Sequence, residues 1–523
     1  MTTEELSTST GTRAGRREWV ALGVLALPLL LVSMDVSILY FAVPQIVRDL
    51  DASATEQLWI FDIYGFVLAG LLISMGALAD RVGARRLLLI GAVTFSATSL
   101  AAAYAGSATQ LIAARAVLGI AGATLMPSTL SLVRTMFHDE AQRAKAVAAW
   151  TAVMTAGVGL GPVLSGVLLE HFWWGSVFLV NLPAMALLLL LGPALLPAGQ
   201  RHRDAHFDLA SAALSLGAVL PAIYGIKEWA AHGTEPRWIA CLTVGSALGA
   251  LFVRRQLHHP HPLIDPALLR NRAFGTAVAG NALATFAIVG NAVFMTGYLQ
   301  LVLGQSPLTA ALWSLVPSVA VGAAAPAAVA AARRVGHAPV AVAGLLVGVA
   351  GFVVLTRVGV DSLVLTLVGA GLLASGLVAV MSMAGEQVLA AVEPSRAGAG
   401  AALSEAATEL GGALGIAILG SVGAAAYRSY ASSHLPPGAA SGPAGESLSG
   451  AWGAAASMPG PLAGQVLDVA RAAYVEGLGT AALVGALLLG AAALALAVVT
   501  RRPAAPRATP RVTPRVTREP TDR

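Results

Sequence analysis

The stretch Trp19–Val47 reads WVALGVLALPLLLVSMDVSILYFAVPQIV and holds one charged side chain, that of Asp35. A helix of about 20 apolar residues is long enough to span a bilayer. A charged side chain near the middle of such a helix costs roughly 2.5–3.5 kcal/mol on insertion scales, so an acid in this position is a functional candidate by default. The stretch therefore predicts a membrane span that carries a candidate ion-binding residue.

The composition extends this prediction to the whole chain. Apolar residues make up 57% of the 523 positions and charged residues 11%, whereas a soluble domain carries about 25% charged residues. The single cysteine, Cys241, excludes an intramolecular disulfide. Residues 1–18 are polar and lack the apolar core of a cleaved signal peptide, so they predict a retained tail. The chain is expected to be an all-α polytopic membrane protein and not an enzyme.

Fourteen apolar runs are long enough to cross a membrane. The predicted spans lie at roughly 19–45, 57–79, 87–105, 110–132, 146–169, 174–197, 208–227, 237–256, 273–302, 307–331, 338–358, 362–385, 397–426 and 474–499.

The basic residues predict the orientation of these spans. Of the 32 lysines and arginines, 25 fall on the side of the chain ends, six fall on the other side, and Arg115 lies within span four. Positive residues collect on the cytoplasmic side, so both termini are predicted to be cytoplasmic in a cell-membrane protein. Lys227 and Glu228 are expected to close span seven at the outer surface, where a lysine can reach the headgroups.

Two further segments are predicted to lie outside the membrane. Residues 428–473 form an extracellular loop rich in Gly, Ala, Ser and Pro, whose end could be a short amphipathic helix. Residues 501–523 are basic and interrupted by prolines, which predicts a disordered cytoplasmic tail near anionic lipid. Retention on the cytoplasmic side explains this tail better than binding of nucleic acid does.

A weak internal repeat suggests how the spans are grouped. Ala79–Gly83 (ADRVG) matches Ala332–Gly336 (ARRVG) between spans ten and eleven, with Arg333 in place of Asp80. Such repeats are typical of transporters built from two related halves. We expect an N-terminal six-helix bundle at 19–197, an inserted helix pair at 198–262 and a C-terminal six-helix bundle at 263–500.

The first copy of this repeat carries a recognisable motif. Gly76–Arg86 reads GALADRVGARR and resembles the signature loop of the major facilitator superfamily. The resemblance implies the fold of that superfamily, with fourteen helices here, and a gating role for Gly76, Asp80, Arg81 and Gly83. The arginines of the loop also serve as topology anchors, which is the alternative interpretation.

Further motifs are similar to the drug:proton antiporters with fourteen helices, and closest to exporters of quaternary ammonium compounds. Span four resembles the arginine motif of the family around Arg115, with Leu118 in place of the usual glutamine. The segments 58–64, 174–183 and 262–274 resemble the same branch. Span five resembles the antiporter motif typical of exporters, with Ser165 replacing a glycine; its remaining motif residues are Gly157, Gly161, Pro162 and Gly166.

Five ionisable residues lie clearly within predicted spans and not near their ends. A helix rises about 1.5 Å per residue, which places Asp35, Asp62 and Arg115 in the outer half of the N-terminal bundle as plausible partners. Glu405 and Glu409 are four residues apart and share one face of span thirteen. The acids are candidates for proton coupling or cation binding; a structural Asp–Arg pair and a polar helix contact are the alternatives. Span ten holds no acid, which argues against recognition of divalent cations.

Aromatic rings attract organic cations by about 0.5–2 kcal/mol. Tyr40, Phe61, Tyr64 and Trp313 could line a drug pocket, although each ring taken singly is more typical of a lipid-facing or interfacial position. The histidines at 258, 259 and 261 lie in a proline-broken loop without an acid at ligand spacing, so no metal site is expected.

The resemblance implies a proton-coupled multidrug efflux transporter that exports lipophilic, cationic drugs or antiseptics by alternating access. No cofactor is expected, ATP is not the expected energy source, and the protein is expected to act as a monomer. Two alternatives stay open: a dedicated exporter of one antibiotic or natural product for self-resistance, and a membrane receptor that transports nothing. The excess of arginine over lysine, 30 to two, indicates a GC-rich genome and keeps the self-resistance alternative open.

Overall fold

The computed structural model describes residues 13–198, 208–233, 235–259, 268, 271–392 and 397–501. In this part of the chain fourteen helices are long and apolar enough to cross a membrane, as predicted. They are α1 Arg16–Asp49, α2 Ala54–Val82, α3 Ala84–Ala103, α4 Ala108–Met136, α5 Glu140–His171, α6 Ser176–Leu195, α7 Leu209–His232, α8 Pro236–His258, α9 Arg272–Val302, α10 Pro307–Val335, α11 His337–Leu355, α12 Leu363–Ala391, α13 Ala397–His434 and α14 Gly460–Arg501. Residues 1–12, the tail beyond Arg501, His261 and most of the 262–274 motif lie outside the described residues.

The two repeat segments have the same local structure. A single glycine separates α2 from α3 and α10 from α11, and φ is 101° at Gly83 and 91° at Gly336. Both N–H groups donate to the carbonyl four residues earlier, at Ala79 and Ala332. Only glycine adopts this left-handed conformation at no steric cost, which explains why both copies of the repeat end in glycine.

The helices form two bundles and a separate pair. Helices α1 to α6 pack on one another, α9 to α14 do the same, and α7 packs on α8. The bundles meet where α2 contacts α13, where α5 contacts α10, and where α1 contacts α9 and α10. Because consecutive helices alternate in direction, both chain ends lie on one face, here called the terminal face, and the opposite face is called the far face. We retain 19–197, 198–262 and 263–500 as a proposed division.

The inserted pair is clamped at the terminal face. Asp208 caps α7, and Arg255 near the end of α8 donates to both carboxylate oxygens of Asp208, at 2.9 and 3.1 Å. Ser211 donates to the same carboxylate through its backbone N–H and its hydroxyl. Burial raises the pKa of Asp208, but the hydrogen bonds from Arg255 and Ser211 outweigh it and hold the pKa well below its usual value.

The connection between α13 and α14 differs from the predicted loop. Helix α13 continues to His434 and α14 begins at Gly460, so the predicted amphipathic helix is the first part of α14. Three short helices lie between them, at Pro437–Ala440, Pro443–Glu446 and Leu448–Ala455. The third contacts α1 and α14 and is tied to α9 by a hydrogen bond from Trp452 Nε1 to the Leu301 carbonyl, 3.1 Å. The segment thus folds over the far face.

Candidate functional site

Arg115 is fully buried within the N-terminal bundle. Its guanidinium donates to the Asp35 carboxylate on α1, to the Ile60 carbonyl at 3.1 Å and to the Phe61 carbonyl at 3.4 Å, both on α2. Burying a charge without partners is costly, and here one side chain joins three helices through one carboxylate and two carbonyls. The structure thus brings the predicted partners Asp35 and Arg115 together.

Glycines on α4 allow this close approach. A Cβ at Gly119 would lie 2.7 Å from the Tyr64 carbonyl oxygen, and one at Gly122 would lie 2.9 Å from the Tyr64 hydroxyl. Without these side chains α4 packs directly on α2, and the Arg115 guanidinium lies 4.7 Å from the centre of the Tyr64 ring. Tyr64 therefore supports the guanidinium by a cation–π contact.

Asp62 has a different partner. Its Oδ1 accepts a hydrogen bond from Lys227 Nζ at 2.7 Å, and both side chains are buried. The predicted placement of Lys227 at the outer surface is therefore wrong, and Asp62 is not bonded to Arg115. The reason is the position of α7, which lies against α2 and directs the lysine into the protein instead of toward headgroups.

Glu405 and Glu409 lie on α13, which packs against α2 and α9. Both side chains are half-buried, and no hydrogen-bond donor contacts either carboxylate among the described residues. Glu409 is close enough to interact electrostatically with the hydroxyls of Tyr40 and Tyr64. Because the ring of Tyr64 also lies against the Arg115 guanidinium, Glu409 of the C-terminal bundle and the Asp35–Arg115 pair of the N-terminal bundle approach one central region.

A cavity of about 90 Å³ lies between the bundles beneath the short helices of the far face. Its aromatic lining includes Tyr40 and Phe61, whose ring centres are 5.6 Å apart. Of the other two predicted aromatics, Tyr64 lies under Arg115, and Trp313 is exposed on α10 and not among the lining residues. The lining consists of Tyr40, Val43, Pro44, Ala54, Gln57, Leu58, Phe61, Val293, Phe294, Gly297, Leu301, Gly420, Gly423, Ala424, Tyr427, Glu446, Ser447, Leu448, Ser449, Tyr474 and Gly477.

The predicted antiporter motif of α5 is a packing surface. A Cβ at Gly157 or Gly161 would overlap the hydroxyl of Ser33 or Ser37 on α1. A Cβ at Gly166 would lie 2.8 Å from Leu308 Cα on α10, so this glycine meets the C-terminal bundle. Pro162 lies inside the helix, where a proline removes one backbone hydrogen bond and permits bending.

Ser165 adds a polar contact to the same surface. It is buried and donates to the Ile38 carbonyl on α1 at 2.7 Å. The residue that departs from the glycine pattern of this motif therefore ties α5 to the helix that carries Asp35.

The predicted gating loop lies at the terminal face. Gly83 makes the sharp turn described above, and a Cβ at Gly76 would be in ordinary contact with Pro127 on α4, at 3.8 Å. Asp80 and Arg81 are exposed. Arg85 donates to the carbonyls at the end of α6, Pro193 at 2.5 Å and Leu196 at 3.1 Å. Arg85 thus anchors the loop to the end of a neighbouring helix.

Sequence comparison identifies the family. Residues 25–261 match the model of the Major Facilitator Superfamily. The chain is 42% identical over 499 residues to "Multidrug efflux pump LfrA" of Mycolicibacterium smegmatis, covering 95% of this chain and 99% of that protein. This chain belongs to the major facilitator superfamily.

Two further comparisons agree with this result. "Methyl viologen resistance protein SmvA" of Salmonella typhimurium is 36% identical over 472 residues, covering 88% of this chain and 93% of that protein. The crystal structure of a bacterial homologue of the human lysosomal transporter Spinster superposes with a TM-score of 0.62 at 17% identity, covering 93% of this chain and 98% of that chain. The latter likeness concerns the fold alone.

The sequence did not predict the buried position of Lys227 beside Asp62. It is one of two lysines in a chain with 30 arginines, and it follows an apolar run of α7. An isolated lysine at the end of an apolar run indicates a buried ammonium group, and a buried ammonium group requires an acidic partner. Which acid it meets depends on the packing of α7 against α2, 165 residues away in sequence.

Proposed function

We propose that this protein is a proton-coupled exporter of lipophilic organic cations in the cell membrane. The relatives named above are a multidrug efflux pump and a resistance protein against methyl viologen. The observation that carries the proposal is the buried Asp35–Arg115 pair. Glu409 of the other bundle lies within electrostatic range of Tyr64, whose ring contacts Arg115. A membrane protein retains such charges where they bind or move ions.

The chemistry follows from competition for carboxylates. Glu405 and Glu409 receive no hydrogen bond from the described residues, so each can hold a proton or an organic cation, but not both. Asp35 can release Arg115 only when another positive charge replaces it. A site that opens alternately to the two sides then exchanges protons for cations. Exchange of one proton for one monovalent cation moves no net charge across the membrane, so the pH difference drives this exchange.

The proposed orientation places the terminal face in the cytoplasm, because 25 of the 32 basic residues lie on that side. The far face is then extracellular and closed by the three short helices. The cavity beneath them, about 90 Å³, is smaller than the roughly 300–1,000 Å³ of a drug-sized site. Release to the outside therefore requires these helices and the ends of α1 and α9 to separate.

The proposal is tested with inside-out membrane vesicles that contain the protein. Ethidium should enter the vesicle lumen when the lumen is acidified, and the uptake should stop when nigericin collapses the pH difference. Vesicles without the protein serve as the control. Unchanged uptake after the collapse would show that transport is not proton-coupled.

A substrate panel separates the multidrug function from a dedicated exporter. Ethidium, methyl viologen and benzalkonium are cations of different shapes, and one neutral antibiotic tests the need for positive charge. A multidrug exporter of cations transports at least two of the cations and not the neutral compound. Transport of a single compound would favour the dedicated exporter.

A further inference from the structure

The ion pair between Asp62 and Lys227 joins the N-terminal bundle to the inserted helix pair. Lys227 Nζ lies 2.7 Å from Asp62 Oδ1 and 4.0 Å from the centre of the Trp59 ring, one helical turn before Asp62. The relative exposure of both charged side chains is 0%. The lysine thus has a carboxylate and an aromatic face as partners, a combination that suits a buried ammonium.

Helix α7 lies at the line where the two bundles meet. A Cβ at Gly70 of α2 would be 2.6 Å from Leu216 Cδ2 of α7, so these two helices are in close contact. On the other side, Ile223 of α7 belongs to the same buried cluster as Ala413 and Ala417 of α13. The helix therefore touches both partners of an interface that must change during alternating access, but its buried ion pair is made with α2.

In the part of the chain that the structure describes, two further charged groups act on the pair. Arg115 on α4 acts on Asp62, and Glu228 on α7 acts on Lys227. Neither Asp62 nor Lys227 lines the cavity of the far face. Asp62 is therefore neutralised by a cation that belongs to the protein and lies away from the cavity.

We propose that Lys227 is the permanent counter-cation of Asp62 and that the pair anchors the inserted helices to the N-terminal bundle. Asp62 then positions α7 and carries no transported proton. The transported protons bind to Asp35, Glu405 and Glu409. During transport α7 moves with α2, and α13 slides past it through the apolar contacts of Ile223. The assignment of the proton carriers rests on the proposed function; the anchoring role does not.

The test compares single and double neutral variants. Lys227→Met leaves a buried carboxylate without its cation, and Asp62→Asn leaves a buried ammonium without its carboxylate. Each should lower the ethidium transport rate about tenfold or more, because breaking a buried ion pair from one side is strongly destabilising. The double variant removes both charges, so it leaves no uncompensated buried charge, which is the costly state. It should therefore transport within about threefold of wild type.

The pH dependence separates anchoring from proton transport. The double variant should retain the pH profile of wild-type transport, and Lys227→Arg should be active. A double variant that is folded but inactive, or whose transport no longer follows the pH difference, would overturn the proposal and assign a transported proton to Asp62.

A second measurement does not depend on transport. The temperature at which the detergent-solubilised protein aggregates should fall in both single variants and recover in the double variant. Equal losses that add in the double variant would refute the anchoring role. If wild-type transport is itself uncoupled from protons, the proposed function fails, but this stability comparison still decides the anchoring role.

Discussion

Replacing Asp35 or Arg115 should have unequal effects, because the two members of the pair have different numbers of other partners. Asp35→Asn leaves the Arg115 guanidinium with the Ile60 and Phe61 carbonyls, at 3.1 and 3.4 Å, and with the new amide oxygen. Arg115→Gln removes the only side chain known to bond Asp35 among the described residues. We therefore expect Asp35→Asn to be the milder change for folding.

The expected losses of folding free energy follow from the number of partners that each side chain keeps. Leaving a buried charge without its partner costs about 3–5 kcal/mol, which applies to Arg115→Gln. A lost charge-assisted hydrogen bond that is partly replaced costs about 1–3 kcal/mol, which applies to Asp35→Asn. For transport, Asp35→Asn removes a group that binds a proton, because asparagine cannot bind one. Asp35→Asn should therefore abolish proton-coupled efflux while the protein remains folded.

The assay measures both properties on the same preparations. Fluorescence-detected gel filtration after heating ranks the folded fraction, and ethidium uptake into inside-out vesicles measures transport. Ser37 provides a control on the same helix. Among the described residues its buried side chain donates one hydrogen bond, to the Met34 carbonyl of its own helix, so Ser37→Ala should leave coupling intact.

The reasoning would be refuted by either of two results. Asp35→Asn with wild-type, pH-driven transport would remove Asp35 from the coupling mechanism. An Arg115→Gln protein more heat-stable than Asp35→Asn would show that the carbonyls of α2 do not stabilise the guanidinium.

Two further predictions concern packing and pH. Gly161→Ala should lower the free energy of unfolding by about 1–3 kcal/mol, because the new methyl group overlaps Ser37 on α1. Gly159→Ala is the control on the same helix and should be tolerated, because a Cβ there has no atom within 4 Å. Equal heat stability of the two variants would contradict this prediction. Arg255→Met should lower the stability by about 1 kcal/mol at neutral pH, since Arg255 is one-third exposed and donates to Asp208. The pKa of Asp208 in the folded protein lies below its ordinary value of 3.8. The stability that the Arg255–Asp208 pair contributes is therefore present above about pH 4 and is lost as the pH falls toward the folded pKa. If Arg255→Met lowered the stability by the same amount from pH 7 to pH 3, the effect would not come from this ion pair.

Much of the fold could be predicted from local sequence. Hydropathy decides which segments leave water, so the fourteen spans follow from runs of apolar residues alone. The turns at Gly83 and Gly336 are equally local, because a left-handed φ selects glycine. The loop at 428–473 was predicted less well, since small residues such as those after Arg428 continue a helix as readily as they end one.

The sequence by itself determined that Asp35, Asp62, Arg115, Glu405 and Glu409 lie in spans and that most basic residues lie on one side. Only the tertiary structure decided which charges meet. Each residue turns about 100° around a helix axis, so the direction of a side chain depends on how each helix is rotated against neighbours that are distant in sequence. This is why Asp35 could be matched to Arg115 by depth, while the pairing of Asp62 with Lys227 required the position of α7 against α2.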